Sequence, residues 1–103
     1  MNKLLFVCSG NKLRSPTAEV FFEEQGFETR SAGTSRDAVN VIGIEDIKWA
    51  DKIYVMEKKH KQRILAEYPR VTKYKKIVVM GIPDNYKYMD DKLIEVLKKY
   101  KIQ

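Results

Sequence analysis

The sequence predicts an α/β fold in which four parallel strands form one sheet with helices on both faces. Segments with strand character alternate with segments of helical periodicity along the chain, which favours a parallel sheet with right-handed crossovers. The first strand segment, Leu4–Val7, is a short apolar run of the kind that forms a buried strand. With 103 residues, the chain is long enough for one core but not for two, so residues 1–103 are expected to form a single domain.

Each element has its own local signal. The predicted strands are 3–8, 27–31, 52–56 and 76–80, and the predicted helices are 15–25, 44–50, 58–68 and 90–100. Ser15 suits the N-cap of the first helix and Pro16 its first turn, while Gly26 suits the C-cap and Pro69 stops the third helix. The residues expected to face the core from the helices are Ala18, Phe21, Phe22, Gln25, Ile44, Ile47, Trp49, Leu93, Ile94 and Leu97.

We expect the strand order 2-1-3-4, which reverses beside strand one. Ligands of such sheets bind at the carboxyl ends of the strands near the point of reversal. Cys8, Thr34, Glu57 and Asp84 all follow strand ends on that side. The topology therefore predicts that these residues border one crevice.

The stretch at residues 7–16, Val-Cys-Ser-Gly-Asn-Lys-Leu-Arg-Ser-Pro, links strand one to the first helix. It contains the only cysteine of the chain, then Gly10 and Asn11, which suit a tight turn, and it enters the helix at Ser15. Backbone N–H groups of such a loop point inward, and the helix dipole adds partial positive charge. The loop is therefore predicted to bind an anion.

Cys8 and Arg14 make this loop a candidate reaction site. A thiolate at its floor would be stabilised by loop N–H groups, by the helix end and by Arg14, whose guanidinium is expected to close over the rim. The guanidinium fork matches two oxygens of a phosphoryl group, and the Ser15 hydroxyl could donate a hydrogen bond to the sulfur. These roles describe attack of a thiolate on a phosphate monoester through a cysteinyl-phosphate intermediate. The predicted phosphate-binding residues are Ser9, Gly10, Asn11, Lys12, Leu13, Arg14 and Ser15.

The pattern Cys-x5-Arg-Ser resembles the phosphate-binding loop of the low-molecular-weight protein tyrosine phosphatase family. Asn11 matches the loop asparagine of that family, 31–34 resembles its segment after strand two, and 50–57 resembles its third strand. Asp84-Asn85-Tyr86 falls where the family has an Asp-Pro-Tyr loop. Typical members of the family are longer than this chain. The chain therefore resembles a short branch of the family that has a single cysteine in its loop. The segment that is shortened is the one between Thr34 and Ile44.

The resemblance implies a three-layer, phosphotyrosine phosphatase I-like fold and a metal-independent phosphatase acting on phosphate monoesters, protein phosphotyrosine among them. It also implies that Asp84 is the general acid, with Asp90 as its alternative, although Asp90 and Asp91 suit the cap and first turn of the last helix. Tyr86 and Tyr88 would form the pocket wall together with Lys12.

Two loop residues bear on the substrate. Ser9 and Lys12 occupy positions where family members usually have apolar or small residues that flank a phosphotyrosine ring. A lysine there weakens the case for phosphotyrosine and favours a substrate with a second negative charge. The expected partner is accordingly a phosphorylated protein or a small phosphomonoester.

The net charge of +6 is concentrated in residues 58–76, where eight lysines and arginines face one glutamate. Such a stretch is usually a solvated surface. Nucleic acid is a possible ligand, but no RNA-binding sequence signature supports it. His60 lies in this stretch and is expected to be an exposed helix residue.

The counts of cysteine and histidine limit the disulfides, metal sites and functions that the chain can have. One cysteine excludes an internal disulfide and favours the cytoplasm, and one histidine leaves too few ligands for a typical zinc site, so neither a metal nor another cofactor is expected. Arsenate reductases that share this fold use several cysteines, whereas Leu13 precedes Arg14 here. No signal peptide or membrane-spanning run is recognised, and a monomer is expected.

Two other functions stay open. The cysteine-phosphorylated carrier subunits of sugar phosphotransferase systems have a similar length and fold, although their loop lacks the Arg-Ser ending. A non-catalytic module could use the same loop to bind phosphorylated or nucleic-acid ligands, although binding alone needs no thiol.

Overall fold

A computed structural model describes residues 3–102. The strands are β1 (Lys3–Cys8), β2 (Glu28–Gly33), β3 (Lys52–Val55) and β4 (Lys76–Val79). The helices are α1 (Arg14–Glu23), α2 (Ile44–Trp49), α3 (Lys58–Glu67) and α4 (Asp91–Lys98). All three strand pairings are parallel and the strand order is β2-β1-β3-β4, so the predicted fold class and order are confirmed.

Alternate residues of β1 face two separate hydrophobic clusters. The first lies between the sheet and helices α1 and α4; its buried members are Leu4, Phe6, Cys8, Ala18, Phe22, Tyr54, Met56, Met80, Ile82, Leu93 and Leu97. The second lies on the other face, under α2 and α3; its buried members are Leu5, Val7, Ala32, Ile42, Ile47, Ala50, Ile53, Val55, Ile64 and Ile77. A strand buried on both faces is the reason why the first segment has no polar alternation.

All predicted boundaries hold to within two residues, and two of these element ends are informative. β2 continues to Gly33, which pairs with Cys8, so β1 and β2 end side by side. The C-cap of α1 is Glu24 rather than Gly26, but Gly26 closes the turn that follows: its φ is +99°, and the N–H of Phe27 donates to the carbonyl of Phe22 at 3.2 Å.

Three predictions about core-facing and capping residues of the helices are wrong. Gln25 does not face the core, because it lies beyond the end of α1 and is exposed. Ser15 is not the N-cap of α1, because the helix begins at Arg14 and the Ser15 hydroxyl is drawn inward to other partners. Pro16 nevertheless lies in the first turn, where its missing N–H costs no helical hydrogen bond. Ile44 does not face the core: it is 44% exposed as the first residue of the six-residue helix α2, and only Ile47 of that helix is fully buried.

The carboxyl ends of the strands bring distant segments together. The N–H of Met56, after β3, donates to the carbonyl of Val7, and the N–H of Ile82, after β4, donates to the carbonyl of Met56. The segments that follow β1, β3 and β4 therefore meet at one edge of the sheet. No helix within residues 3–102 is long and apolar enough to cross a membrane.

Candidate active site

The Cys8 thiol lies buried at the end of β1 with two hydrogen-bond partners. The N–H of Asn11 donates to Sγ at 3.3 Å, and Ser15 Oγ lies 3.0 Å from Sγ. Ser15 Oγ also accepts a bond from Asn11 Nδ2 at 2.9 Å, so its own proton is free to donate. The other available acceptor, the Ala32 carbonyl, is 3.4 Å away, which is long for an O–H donor. The Ser15 hydroxyl therefore donates to the sulfur, which thus accepts two hydrogen bonds.

The loop after Cys8 is held from outside by the segment that follows β2. The N–H groups of Thr34, Ser35 and Val39 donate to the carbonyls of Cys8, Ser9 and Gly10, at 3.0, 3.0 and 3.1 Å. In a trans peptide the carbonyl and the following N–H point in opposite directions, and no peptide bond described here is cis. Three successive loop amides therefore point away from that segment, and the last of them reaches the sulfur.

Asn11 and Gly33 make this arrangement possible. Asn11 has the left-handed backbone that the sequence predicted, with φ of 54°, and its Oδ1 accepts the N–H of Asn40 at 3.1 Å. A Cβ on Gly33 would stand 2.4 Å from the carbonyl oxygen of Ser9 and 2.6 Å from Cβ of Ala38. Only glycine allows β2 and its following segment to approach the loop this closely.

Arg14 is buried beside the loop and is only 1% exposed. Its Nη1 donates to Glu57 Oε2 at 2.5 Å and to the Ile82 carbonyl at 2.9 Å, while Nε lies 3.5 Å from Asp84 Oδ1. A guanidinium can be buried only when it is paired, and Glu57 supplies that pair. The hydrogen bond from Arg14 lowers the pKa of Glu57 despite partial burial. The sequence had placed Glu57 at the crevice without giving it a role.

His60 contradicts the sequence prediction most clearly, since it is buried rather than exposed. Its Nδ1 accepts the N–H of Glu57 at 3.0 Å, so the proton is on Nε2, which donates to Ser9 Oγ at 2.9 Å. Burial, reinforced by the charge of Arg14, lowers the pKa of His60 to about 4. The sequence did contain one indication of this contact. His60 is the third residue of α3, and a side chain at that position can accept the N–H of the residue before the helix, here Glu57.

A small cavity of about 190 Å³ opens beside the sulfur. Its lining residues are Cys8, Gly10, Lys12, Leu13, Arg14 and Asp84. The structure thus brings Lys12 and Asp84 to the same cavity as the cysteine and the arginine. The Asp84 side chain is 60% exposed and stands where it can exchange protons with solvent.

The other residues proposed around the pocket lie elsewhere. Asp90 caps α4, accepting the N–H groups of Lys92 and Lys87, and these bonds lower its pKa. The two tyrosines predicted as pocket wall are not among the residues that line the cavity: Tyr86 packs against the first hydrophobic cluster, and Tyr88 is 53% exposed. No group of three metal-ligating side chains occurs within residues 3–102.

The sequence matches no protein-family model, and a search of curated proteins finds no match. Solved structures do match. A tyrosine phosphatase from Erwinia amylovora, AmsI, is 26% identical, with a TM-score of 0.73, 94% of this chain covered and 86% of that chain. A low-molecular-weight phosphotyrosine phosphatase from Vibrio cholerae O395 is 20% identical, with a TM-score of 0.78 and coverages of 95% and 90%. A cysteine-to-serine mutant of the arginine phosphatase YwlE, with a phosphorylated active-site serine, is 26% identical, with a TM-score of 0.71 and coverages of 93% and 91%.

The chain has the fold of the low-molecular-weight phosphatases. The likeness extends over nearly the whole of residues 3–102, and the resemblance inferred from the loop motif is confirmed. These neighbours differ in the substrate that their names give, tyrosine in two cases and arginine in the third. The fold therefore supports a reaction class and leaves the substrate to be inferred from this chain.

Gly33→Ala should disrupt the loop amides, because the new Cβ must push the Ser9 carbonyl away. We expect a loss of about 1–3 kcal/mol in the free energy of unfolding, measured by urea denaturation, together with weaker binding of inorganic phosphate. Gly43→Ala is the matched control: no atom lies within 4 Å of its new Cβ, and an alanine at this helix N-cap costs at most about 1 kcal/mol. Equal losses in both variants would mean that the close approach at Gly33 is unimportant.

His60 should make the melting temperature depend on pH. Because its pKa is lowered from 6.5 to about 4, the unfolded chain binds more protons than the folded one between these values. Its stabilising contribution is therefore complete above pH 6.5 and is lost as the pH falls toward 4. His60 is the only histidine, so we expect the melting temperature to fall between pH 6.5 and 5, above the range where ordinary carboxyls titrate.

The matching variant is His60→Gln, which should be less stable at pH 7.5 but should show a flatter melting profile between pH 6.5 and 5. Lys61→Gln, at the next position of α3, should keep the slope of the unaltered protein. If His60→Gln keeps that slope as well, another group is responsible for it.

Proposed function

We propose that this protein is a metal-independent cysteine phosphatase that hydrolyses phosphate monoesters through a cysteinyl-phosphate intermediate. The observation that carries the proposal is the position of Cys8 Sγ, which receives hydrogen bonds from Asn11 N–H and the Ser15 hydroxyl and borders the same cavity as Arg14. A buried cysteine with only a packing role would need neither donor nor cavity.

Phosphate binding follows from groups whose orientation is fixed before the substrate arrives. The amides of residues 9–11 point away from the segment after β2, that of Asn11 reaches the sulfur, and α1 adds the positive end of its dipole. Nη1 of Arg14 is already held by Glu57 and Ile82, so a two-pronged contact to phosphoryl oxygens must use Nε and Nη2. Groups fixed in this way lose little freedom when the transition state forms.

In the first chemical step, the Cys8 thiolate attacks phosphorus as the bond to the leaving oxygen breaks. Asp84, at the mouth of the cavity, gives that oxygen its proton. The three equatorial oxygens stay bound to the loop amides and to Arg14. The products are the free alcohol or phenol and a phosphate held on sulfur.

In the second step, water attacks the phosphorus of the intermediate and the P–S bond breaks. The Asp84 carboxylate, left by the first step, accepts the proton of the water. The sulfur departs as a thiolate, and the donors from Asn11 and Ser15 stabilise it as a leaving group. Inorganic phosphate leaves, and the starting state of Cys8 and Asp84 is restored.

This same stabilisation argues against a phosphocarrier, which must keep its phosphate until an acceptor arrives. It also argues against a pure binding module, which has no need of donors aimed at a sulfur. The 26% identical arginine phosphatase, whose mutant carries a phosphorylated active-site serine, supports a covalent intermediate by analogy. The substrate we propose is a phosphorylated protein or small phosphomonoester. A monomeric state and a cytoplasmic location stay predictions, and nucleic acid is not the expected ligand.

Cys8→Ser should abolish turnover of para-nitrophenyl phosphate, because a serine hydroxyl is a far weaker nucleophile than a thiolate. Binding of inorganic phosphate should persist, since the loop amides and Arg14 remain. Steady-state kinetics and calorimetry measure the two effects, and a chelator should leave the unaltered protein fully active. Turnover by Cys8→Ser at about a tenth of the normal rate or more would rule the covalent mechanism out.

Asp84→Asn should slow esters of alkyl alcohols far more than para-nitrophenyl phosphate, whose leaving group departs with little protonation. General acid catalysis typically contributes about 10²–10⁴-fold, so the two substrate classes should separate by at least about tenfold. Asp90→Asn is the matched control, expected to lose only part of a helix cap. A leaving-group-dependent loss in Asp90→Asn, with none in Asp84→Asn, would transfer the role of acid to Asp90.

A further inference from the structure

A larger groove, of about 780 Å³, adjoins the catalytic loop at Ser9. Ser9 follows Cys8 directly, so the groove begins within one residue of the nucleophile. Its other walls are the segment after β2, through Thr34 and Ser35, and the exposed side of α3. We call this feature the basic groove because of the charges described next.

Three cations and one anion line the basic groove: Arg36, Lys59, Arg63 and Asp37. The excess is three minus one, or two positive charges. Arg63 forms an ion pair with Glu67, and Lys59 lies 4.0 Å from Glu57, whose carboxylate is already bonded to Arg14. Both cations are exposed to solvent, where ion pairs contribute at most about 1 kcal/mol and exchange readily for another anion.

The hydroxyl of Ser9 is set up as a donor at the junction between cavity and groove. His60 donates to its oxygen through Nε2, so the serine proton is not engaged in that bond. The tautomer of His60 is fixed in turn by the N–H of Glu57. A hydrogen-bond acceptor on the substrate is thus the natural partner for Ser9.

The two cavities differ in what they can hold. At about 190 Å³, the catalytic cavity falls below the range of about 300–1,000 Å³ in which proteins usually enclose whole ligands. It can take a phosphoryl group with the few atoms next to it. The remainder of the substrate must lie outside, and the basic groove is the concave surface that adjoins the loop.

We propose that the basic groove binds carboxylate side chains of a phosphorylated protein segment, close to the residue whose phosphoryl group enters the catalytic cavity. This rests on the proposed phosphatase function and names its substrate class. Lys59 and Arg63, four residues apart, lie on one side of α3, and Arg36 stands on the opposite wall. Cations spread along an open groove suit several separated carboxylates better than a single second phosphate.

The test compares two phosphotyrosine peptides of equal length, one with glutamates on both sides of the phosphotyrosine and one with glutamines. Binding is measured by fluorescence anisotropy in a Cys8→Ser background, and kcat/KM is measured with the active enzyme. We expect the acidic peptide to bind about tenfold more tightly at low salt, as two or three exposed ion pairs allow.

The deciding variant combines Arg36→Gln with Arg63→Gln, which should reduce that preference to about twofold or less. The control combines Arg70→Gln with Lys73→Gln, which removes the same charge from exposed residues outside the groove and should keep the preference. Absence of a preference, or equal loss in both double variants, overturns the proposal. Displacement of the acidic peptide by a short single-stranded DNA of equal net charge, at equal or lower concentration, would overturn it in favour of nucleic acid.

These measurements test the binding proposal for the basic groove independently of the proposed phosphatase reaction. If para-nitrophenyl phosphate is hydrolysed but the two peptides bind equally, the groove assignment fails alone. If the peptides are distinguished in binding but the unaltered protein hydrolyses no phosphate ester, the phosphatase assignment fails and the groove stands as a binding surface.

Discussion

The direction of three peptide groups, those linking Cys8 through Asn11, is the constraint on which the rest of the site depends. Their carbonyls are bound from outside by amides of the segment after β2, and this turns the following N–H groups away from that segment, where the N–H of Asn11 reaches the sulfur. The anion-binding character of the loop thus comes from backbone geometry rather than from its side chains. It also explains why β2 extends as far as Gly33, where the two backbones come too close for any Cβ.

A second constraint is the burial of Arg14. A guanidinium held out of water demands a partner, and the sheet supplies one because β3 ends beside β1 and delivers Glu57 to that point. The carbonyl of Ile82, after β4, completes the coordination. The arginine, at the start of the helix that follows β1, is therefore fixed by the segments after β3 and β4, so Nε and Nη2 are oriented before any phosphate binds. The strand order therefore determines which residues hold Arg14 in place.

Local chemistry made the loop predictable, and distant contacts decided what the sequence missed. The cysteine, the left-handed asparagine and the position of Asp84 follow from residue types and from where strands end. The N-cap assignment of Ser15 failed because its hydroxyl donates to the buried sulfur of Cys8 and accepts a hydrogen bond from the Asn11 side-chain amide. The prediction for His60 failed because its partner, Ser9, lies 51 residues away. Neither the helical pattern around His60 nor its charged neighbours indicates such a contact.

The residues around the sulfur and the residues of the basic groove differ in how freely they can be substituted. Around the sulfur, nearly every polar group has a partner within the protein, so a substitution there disturbs the reaction itself. In the basic groove the cations are exposed at the surface, so they can change without disturbing the core. His60 joins the two regions, because one ring nitrogen is tied to the backbone beside Glu57 and the other orients Ser9 at the edge of the groove. Selection for a substrate can thus act on the groove while the phosphoryl chemistry stays constant.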